Sequence, residues 1–156
     1  MIINKNKKVF VAERIDFPDS FQMPQGGIED DEEACHAVMR EIEEETGMKN
    51  VEILSCMEQP IEYTIPHNHL PSHWNGEFCG QAILFFLVRF NGEDSEINLN
   101  HSHTPEFKSW KWVDLSDVPN CGVVFKRSLY KEVYNFFKNI VSIIGNNYRI
   151  LENIEL

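Results

Sequence analysis

GGIEDDEEACHAVMREIEEETGM, residues 26–48, is the stretch whose reading decides the fold. It opens on paired glycines and then carries no Gly or Pro until Gly47, which suits a helix closed by a left-handed glycine. Ala34, Ala37, Val38 and Ile42 supply an apolar stripe, so the pattern predicts a helix over about residues 31–46. On that helix Glu41, Glu44 and Glu45 stand at i, i+3 and i+4 and project from one face. Three neighbouring carboxylates repel one another unless a cation neutralises them, and a hard divalent metal is the natural partner of carboxylate oxygens. A solvated acidic face, the commoner origin of glutamate runs, is the competing reading.

Towards the N-terminus, residues 1–3 and 8–12 are short β-like runs around a polar turn at 4–7, which predicts a hairpin. Residues 13–20 read as a loop, and Pro24 favours an extended entry to the glycines. Towards the C-terminus, 51–57 and 61–65 read as strands and 66–76 as a loop rich in His, Pro and Gly. Residues 81–90, QAILFFLVRF, read as the strongest strand, apolar on both faces and buried in the sheet. A further strand is expected at 110–113, then a helical turn near 114–118. Leu129, Val133, Phe136, Phe137, Ile140 and Val141 fall at helical spacing, giving an amphipathic helix over 127–144 that docks on the sheet. Gly145-Asn146-Asn147 is expected to end it, leaving a tail at 148–156. The order of elements indicates a single α/β (α+β) domain over 1–156 with a mixed β-sheet.

The chain of 156 residues has a formal net charge of −11, which gives it no general attraction for nucleic acid or an anionic membrane. A phosphorylated ligand therefore needs metal ions and a few local cations to offset repulsion. Cys35, Cys56, Cys79 and Cys121 form no C-x-x-C pair and read as reduced thiols, with Cys35 packed on the central helix. The opening MIINKNKK has no long apolar region of the secretory kind, and the apolar run at 82–88 is too short to span a bilayer. A cytoplasmic protein with no membrane association is expected. His67, His69, His101 and His103 lack cysteine partners at zinc-site spacing and read as surface-loop histidines, His103 standing nearest the Thr104-Pro105-Glu106 segment.

Gly26, Glu32, Arg40, Glu41, Ile42, Glu44, Glu45, Gly47 and Met48 fill every specified position of a pattern that resembles the Nudix box. The resemblance implies the Nudix fold, a mixed β-sheet sandwiched between helices, and hydrolysis of a nucleoside diphosphate linked to another group. It implies Glu41, Glu44 and Glu45 as ligands of Mg²⁺, with Mn²⁺ as substitute, and Gly26 as a tight turn that brings a carbonyl to the metal. Arg40 is implied to pair with Glu32 as structural support. Beyond the box, residues 24–28, Gly80-Gln81, 96–98, 104–107, 110–112 and 125–127 resemble the bacterial RNA pyrophosphohydrolases, a branch grouped with diadenosine tetraphosphate hydrolases. That narrower likeness implies Glu106 as a further catalytic carboxylate. It implies Phe125 as a base-stacking ring, Lys126 as a phosphate or base-edge contact, Gln81 and Val123 as pocket lining, and Arg14 as a phosphate contact.

Two departures stand beside the likeness. Relatives carry about ten residues before the position of Met1, and basic residues where this chain has Ala82-Ile83-Leu84. The expected function is removal of pyrophosphate from the 5′-triphosphate end of RNA. The alternatives are asymmetric hydrolysis of a dinucleoside polyphosphate and, from another class, a non-catalytic nucleotide-binding module of the same fold. No obligate protein partner is inferred.

Overall fold

The computed structural model describes residues 1–144, so the expected helix stop at 145–147 and the tail at 148–156 lie outside the described residues. Its organising strand is β2 (Val9–Arg14). Along one edge β2 pairs antiparallel with β8 (Phe107–Val113), from Val9↔Val113 to Arg14↔Phe107. Its other edge is shared between β1 (Ile2–Ile3), paired at Ile3↔Val9, and β3 (Phe21–Gln22), paired at Ala12↔Gln22. Strand β1 runs parallel to β7 (Phe86–Phe90), which pairs antiparallel with β4 (Val51–Cys56). The result is a six-stranded mixed sheet, accompanied by a two-stranded ribbon of β5 (Ile61–Thr64) and β6 (Gly80–Ile83).

Side chains alternate across a strand, and here each face meets one helix. Ile2, Phe10, Ala12, Phe86, Val88 and Phe90 share a core with Ile42 of α1 (Ala34–Thr46). Ile3, Val9, Val11 and Leu87 share the opposite core with Leu129, Val133, Phe137 and Val141 of α2 (Arg127–Ile143). A mixed sheet between helices is thus the observed architecture.

The predicted N-terminal hairpin is present. Asn4 Oδ1 accepts the Asn6 and Lys8 amides at 2.9 and 3.1 Å, and Lys7 takes the left-handed conformation at φ 60°. Gly47 ends α1 at φ 72°, its amide donating to Glu43 O at 2.8 Å, which is the expected glycine stop. The helix begins at Ala34 rather than near 31, because Asp31 has φ 63° and the Glu32 carboxylate is already committed to the preceding loop.

The expected strand at 81–90 is a different matter. It divides at Leu84-Phe85 into β6 of the ribbon and β7 of the main sheet. Apolar residues run through both halves, so hydrophobicity alone hides the break, although only β7 is buried and β6 is at most half-buried. Pairing reveals it: Gly80 lies so close to β5 that a Cβ would stand 2.0 Å from Tyr63 O, whereas Phe86 pairs with Cys56 of β4. Strand β3, expected only as an extended lead, is recruited by β2. Cys35 is exposed rather than packed, since it lies off the Ala34, Val38 and Ile42 stripe that meets the sheet. No helix among the described residues is long and apolar enough to cross a membrane.

Phe136 and Phe137 separate burial from composition. Phe137 is 0% exposed and Phe136 41% exposed. Phe137→Ala is expected to cost about 3–5 kcal/mol in urea unfolding, and Phe136→Ala under about 1 kcal/mol.

Candidate active site

Arg40 assembles the loop and helix. Its Nε and Nη2 fork onto the Glu32 carboxylate at 2.9 Å each, and Nη2 also reaches Gly27 O at 2.9 Å. Its Nη1 donates to Glu41 Oε1 at 2.9 Å and Glu44 Oε2 at 3.3 Å. The fork holds the Glu32 carboxyl down at about 2, with the Glu29 amide adding to it. Gly26 faces Glu41, and a Cβ there would fall 1.8 Å from the carboxylate carbon. Gly26 lies outside the left-handed region, so close approach rather than the expected tight turn requires a glycine.

Glu45 is buried at 8% exposure and accepts the Gln25 amide at Oε2, 3.1 Å away. Burial, then Glu106, then Glu41 push its carboxyl up to about 9, against smaller help from the Gln25 amide and Arg14. Glu106, just before β8, pairs through Oε2 with Arg14 Nη1 at 3.0 Å. Arg14 at the end of β2 also forks onto Asp16, at 2.6 and 2.9 Å.

No group of three or more His, Cys, Asp or Glu is preformed as a metal cluster among the described residues. Arg40 explains this for α1, since it occupies one oxygen each of Glu41 and Glu44. The donor set nonetheless fits a hard divalent ion: Glu41 Oε2 and Glu44 Oε1 have no partner among the described residues, and beside them Glu45 is a buried carboxyl destabilised as an anion.

Lys126, buried at the start of α2, donates to Gln22 Oε1 at 3.2 Å and Gln25 Oε1 at 2.7 Å. Desolvation brings its ammonium down to about 8. Gln25 Nε2 contacts Gln81 Oε1 at 3.4 Å, and the same oxygen accepts the Tyr63 hydroxyl at 2.6 Å. The Tyr63 and Phe125 rings lie near-parallel, 6.4 Å apart with 12° between planes. Gln81 lines two cavities. One of about 430 Å³ runs along Gly26, Gly27, Val38, Glu41 and Phe85, and one of about 950 Å³ includes Tyr63 and Phe125.

Of the residues named from sequence, Glu41, Glu44, Glu32, Arg40 and Gly26 thus gather on one side. Glu45, Glu106 and Arg14 meet at the centre, and Gln81, Phe125 and Lys126 gather opposite. Val123 lines neither cavity; its carbonyl accepts the Lys126 amide at 2.9 Å, so it shapes the turn. Sequence reasoning missed Tyr63, Asp16 and the linking role of Gln25. Tyr63 faces the core side of the alternating Ile61–Thr64 strand, a signal that could have pointed to it. His69 is exposed, as expected, and its ring also lies 5.6 Å from Phe125 and 5.3 Å from Phe17.

Comparison with known proteins follows the same lines. A family model described as NUDIX domain matches residues 1–133. The chain is similar to an RNA pyrophosphohydrolase of Pelagibacter ubique, 43% identical over 143 residues, covering 91% of this chain and 90% of the relative. It is similar to another from Wolbachia pipientis subsp. Culex pipiens, 37% identical over 141 residues, covering 90% and 87%. Among solved structures, the E. coli dihydroneopterin triphosphate pyrophosphohydrolase superposes with TM-score 0.68 at 20% identity, over 87% of this chain and 93% of that one. A C. elegans Ap4A hydrolase binary complex superposes with TM-score 0.60 at 18% identity, over 88% and 95%. These two share the fold.

Glu45 dictates a pH dependence. Its folded value near 9 lies above the ordinary 4.5, so the folded state holds a proton that the unfolded chain has released. In EDTA, stability is therefore expected to fall as pH rises from about 4.5 to about 9. Glu45→Gln should flatten that slope, as read by urea unfolding at pH 5, 7 and 9.

Proposed function

This chain belongs to the Nudix family, and from that premise we propose a metal-dependent pyrophosphohydrolase that removes pyrophosphate from the 5′-triphosphate end of RNA. Its bond class is the phosphoric anhydride. The observation that carries the reading is the meeting of unlike charges around Glu45. Carboxylates of α1 and Glu106 meet Arg14 and Lys126 there, and the stacked Tyr63 and Phe125 rings lie near Lys126. That combination suits a polyphosphate attached to an unpaired base. The similarity to RNA pyrophosphohydrolases supports the RNA end as substrate. The proposal takes residues 1–156 as one catalytic domain in the cytoplasm.

Nudix hydrolases use divalent cations, and Mg²⁺, with Mn²⁺ as substitute, is the ion assigned here. Glu44 and Glu45 would be its main ligands, with Glu41 as third ligand or general base and the Gly26 carbonyl as a further oxygen donor. When bound, the ion supplies charge neutralisation for the phosphates and lowers the pKa of an attacking water. Glu106, beside Arg14 and within reach of Glu45, would assist as a base or as a further ligand. Arg14 offers its remaining N–H groups to phosphate oxygens, and Lys126 supplies a second, partly desolvated cation. Phe125 stacks the base with Gln81 lining its pocket, and Val123 contributes through the turn that places Lys126. Glu32 and Arg40 act by holding the carboxylate helix.

A second reading, asymmetric hydrolysis of a dinucleoside polyphosphate, draws on the apolar Ala82, Ile83 and Leu84 along the smaller cavity and on the net charge of −11. Neither favours a long polyanion.

Both substrates should be offered to the purified protein with Mg²⁺. Pyrophosphate and monophosphorylated RNA, formed faster than dinucleotide cleavage products, are expected; the reverse order would select the second reading. No phosphate release from either would leave a binding module. Glu45→Gln is expected to lower kcat by about a hundredfold or more while circular dichroism stays unchanged.

A further inference from the structure

Arg14 stands between two competing acids. The edge formed by Nε and Nη2 is gripped by both oxygens of Asp16, at 2.6 and 2.9 Å. The opposite corner, Nη1, reaches Glu106 Oε2 at 3.0 Å, and the guanidinium lies within electrostatic reach of Glu45. Asp16 comes from the loop after β2, with a side chain 60% exposed, so its pairing serves no packing need. An isolated exposed ion pair stabilises a fold very little. Its consequence is therefore to be sought in where it leaves the arginine.

Glu41 and Glu106 each lie within electrostatic reach of Glu45, a loose cluster of acids rather than a preformed metal site among the described residues. Arg14 is a permanent cation on a long stem, already joined to that cluster through Glu106. Drawn further in, it would neutralise the same carboxylates that a divalent ion needs. Arg40 already occupies one oxygen each of Glu41 and Glu44, but Glu32 and Gly27 O fix its other edge and hold it from being drawn further in. Among the described residues, the other anchor of Arg14 is Asp16.

We propose that Asp16 is a positioning residue that holds Arg14 at the mouth of the carboxylate cluster, keeping it from taking the cation's place and leaving its free N–H groups for phosphate. Of the five guanidinium N–H donors, Asp16 takes two and Glu106 one, so one on Nη1 and one on Nη2 remain. The inference rests on the cluster being a divalent-metal site. The loop residue thereby acts on metal affinity without touching the metal.

The test uses Mn²⁺ alone as probe, its binding to the full chain followed by electron paramagnetic resonance without substrate. Asp16→Ala is expected to weaken Mn²⁺ binding about tenfold, within the range carried by outer partners of metal sites. Asp16→Glu, which keeps the carboxylate, should bind within about twofold of the unaltered protein. Arg14→Ala and Arg14→Ala with Asp16→Ala should bind Mn²⁺ equally, because Asp16 acts only through the arginine. A mere loss of negative charge would instead weaken binding by the same factor in both backgrounds, and that result overturns the proposal. So does an Asp16→Ala protein that binds like the unaltered one. An unaltered protein that binds no Mn²⁺ overturns the metal-site reading, and this inference with it.

Discussion

One guanidinium, that of Arg40, sets the relation between the glycine loop and the carboxylate helix. It joins Glu32, Gly27 O, Glu41 and Glu44, so four groups from two segments share one rigid planar donor. An arginine can do this where a lysine could not, because its fork fixes direction as well as charge. The loop is thereby pressed onto α1 closely enough that Gly26 has no room for a Cβ beside Glu41. The acidic residues of the loop and of α1 are placed relative to that contact.

The sheet determines what faces the helix. Strand β2 contributes Phe10 and Ala12 to the α1 side and Val9 and Val11 to the α2 side, then delivers Arg14 at its end. Strand β8 enters beside it, bringing Glu106 next to Arg14. The start of α2 places Lys126 against Gln22 and Gln25. The acids and bases of the site thus come from four distant parts of the chain, held by pairing and packing rather than by attraction for each other. Glu45 shows the tension this creates, since it is buried with other carboxylates nearby, and among the described residues the Gln25 amide and the charge of Arg14 offset this in part.

Regular periodicity made much of the fold legible. The helix stripe of α1, the glycine stop at Gly47, the hairpin around Asn4 and the amphipathic α2 all follow from local pattern. The break between β6 and β7 was not legible, because apolar residues continue through Leu84 and Phe85 and only pairing partners distinguish the two strands. Nor was β3, two residues long and ordered by β2. In the site, the acidic residues of the box were evident from spacing. Asp16 was not, since an isolated aspartate carries no periodic signal, and for Tyr63 the alternation of β5 marked a core-facing ring but not its neighbours.

By itself the sequence determined the family-defining pattern and therefore which carboxylates share a helix face, because i, i+3 and i+4 spacing is a property of the helix alone. It also determined the two helices and the composition of the core. Tertiary structure decided which of those carboxylates is buried, that Glu106 and Arg14 meet, and that Gly26 answers to a close contact. It also decided that Asp16 holds the arginine and that Tyr63 lies parallel to Phe125. Burial and long-range pairing depend on how distant strands stack. No local pattern in one chain specifies the dielectric or the neighbours that a side chain will meet.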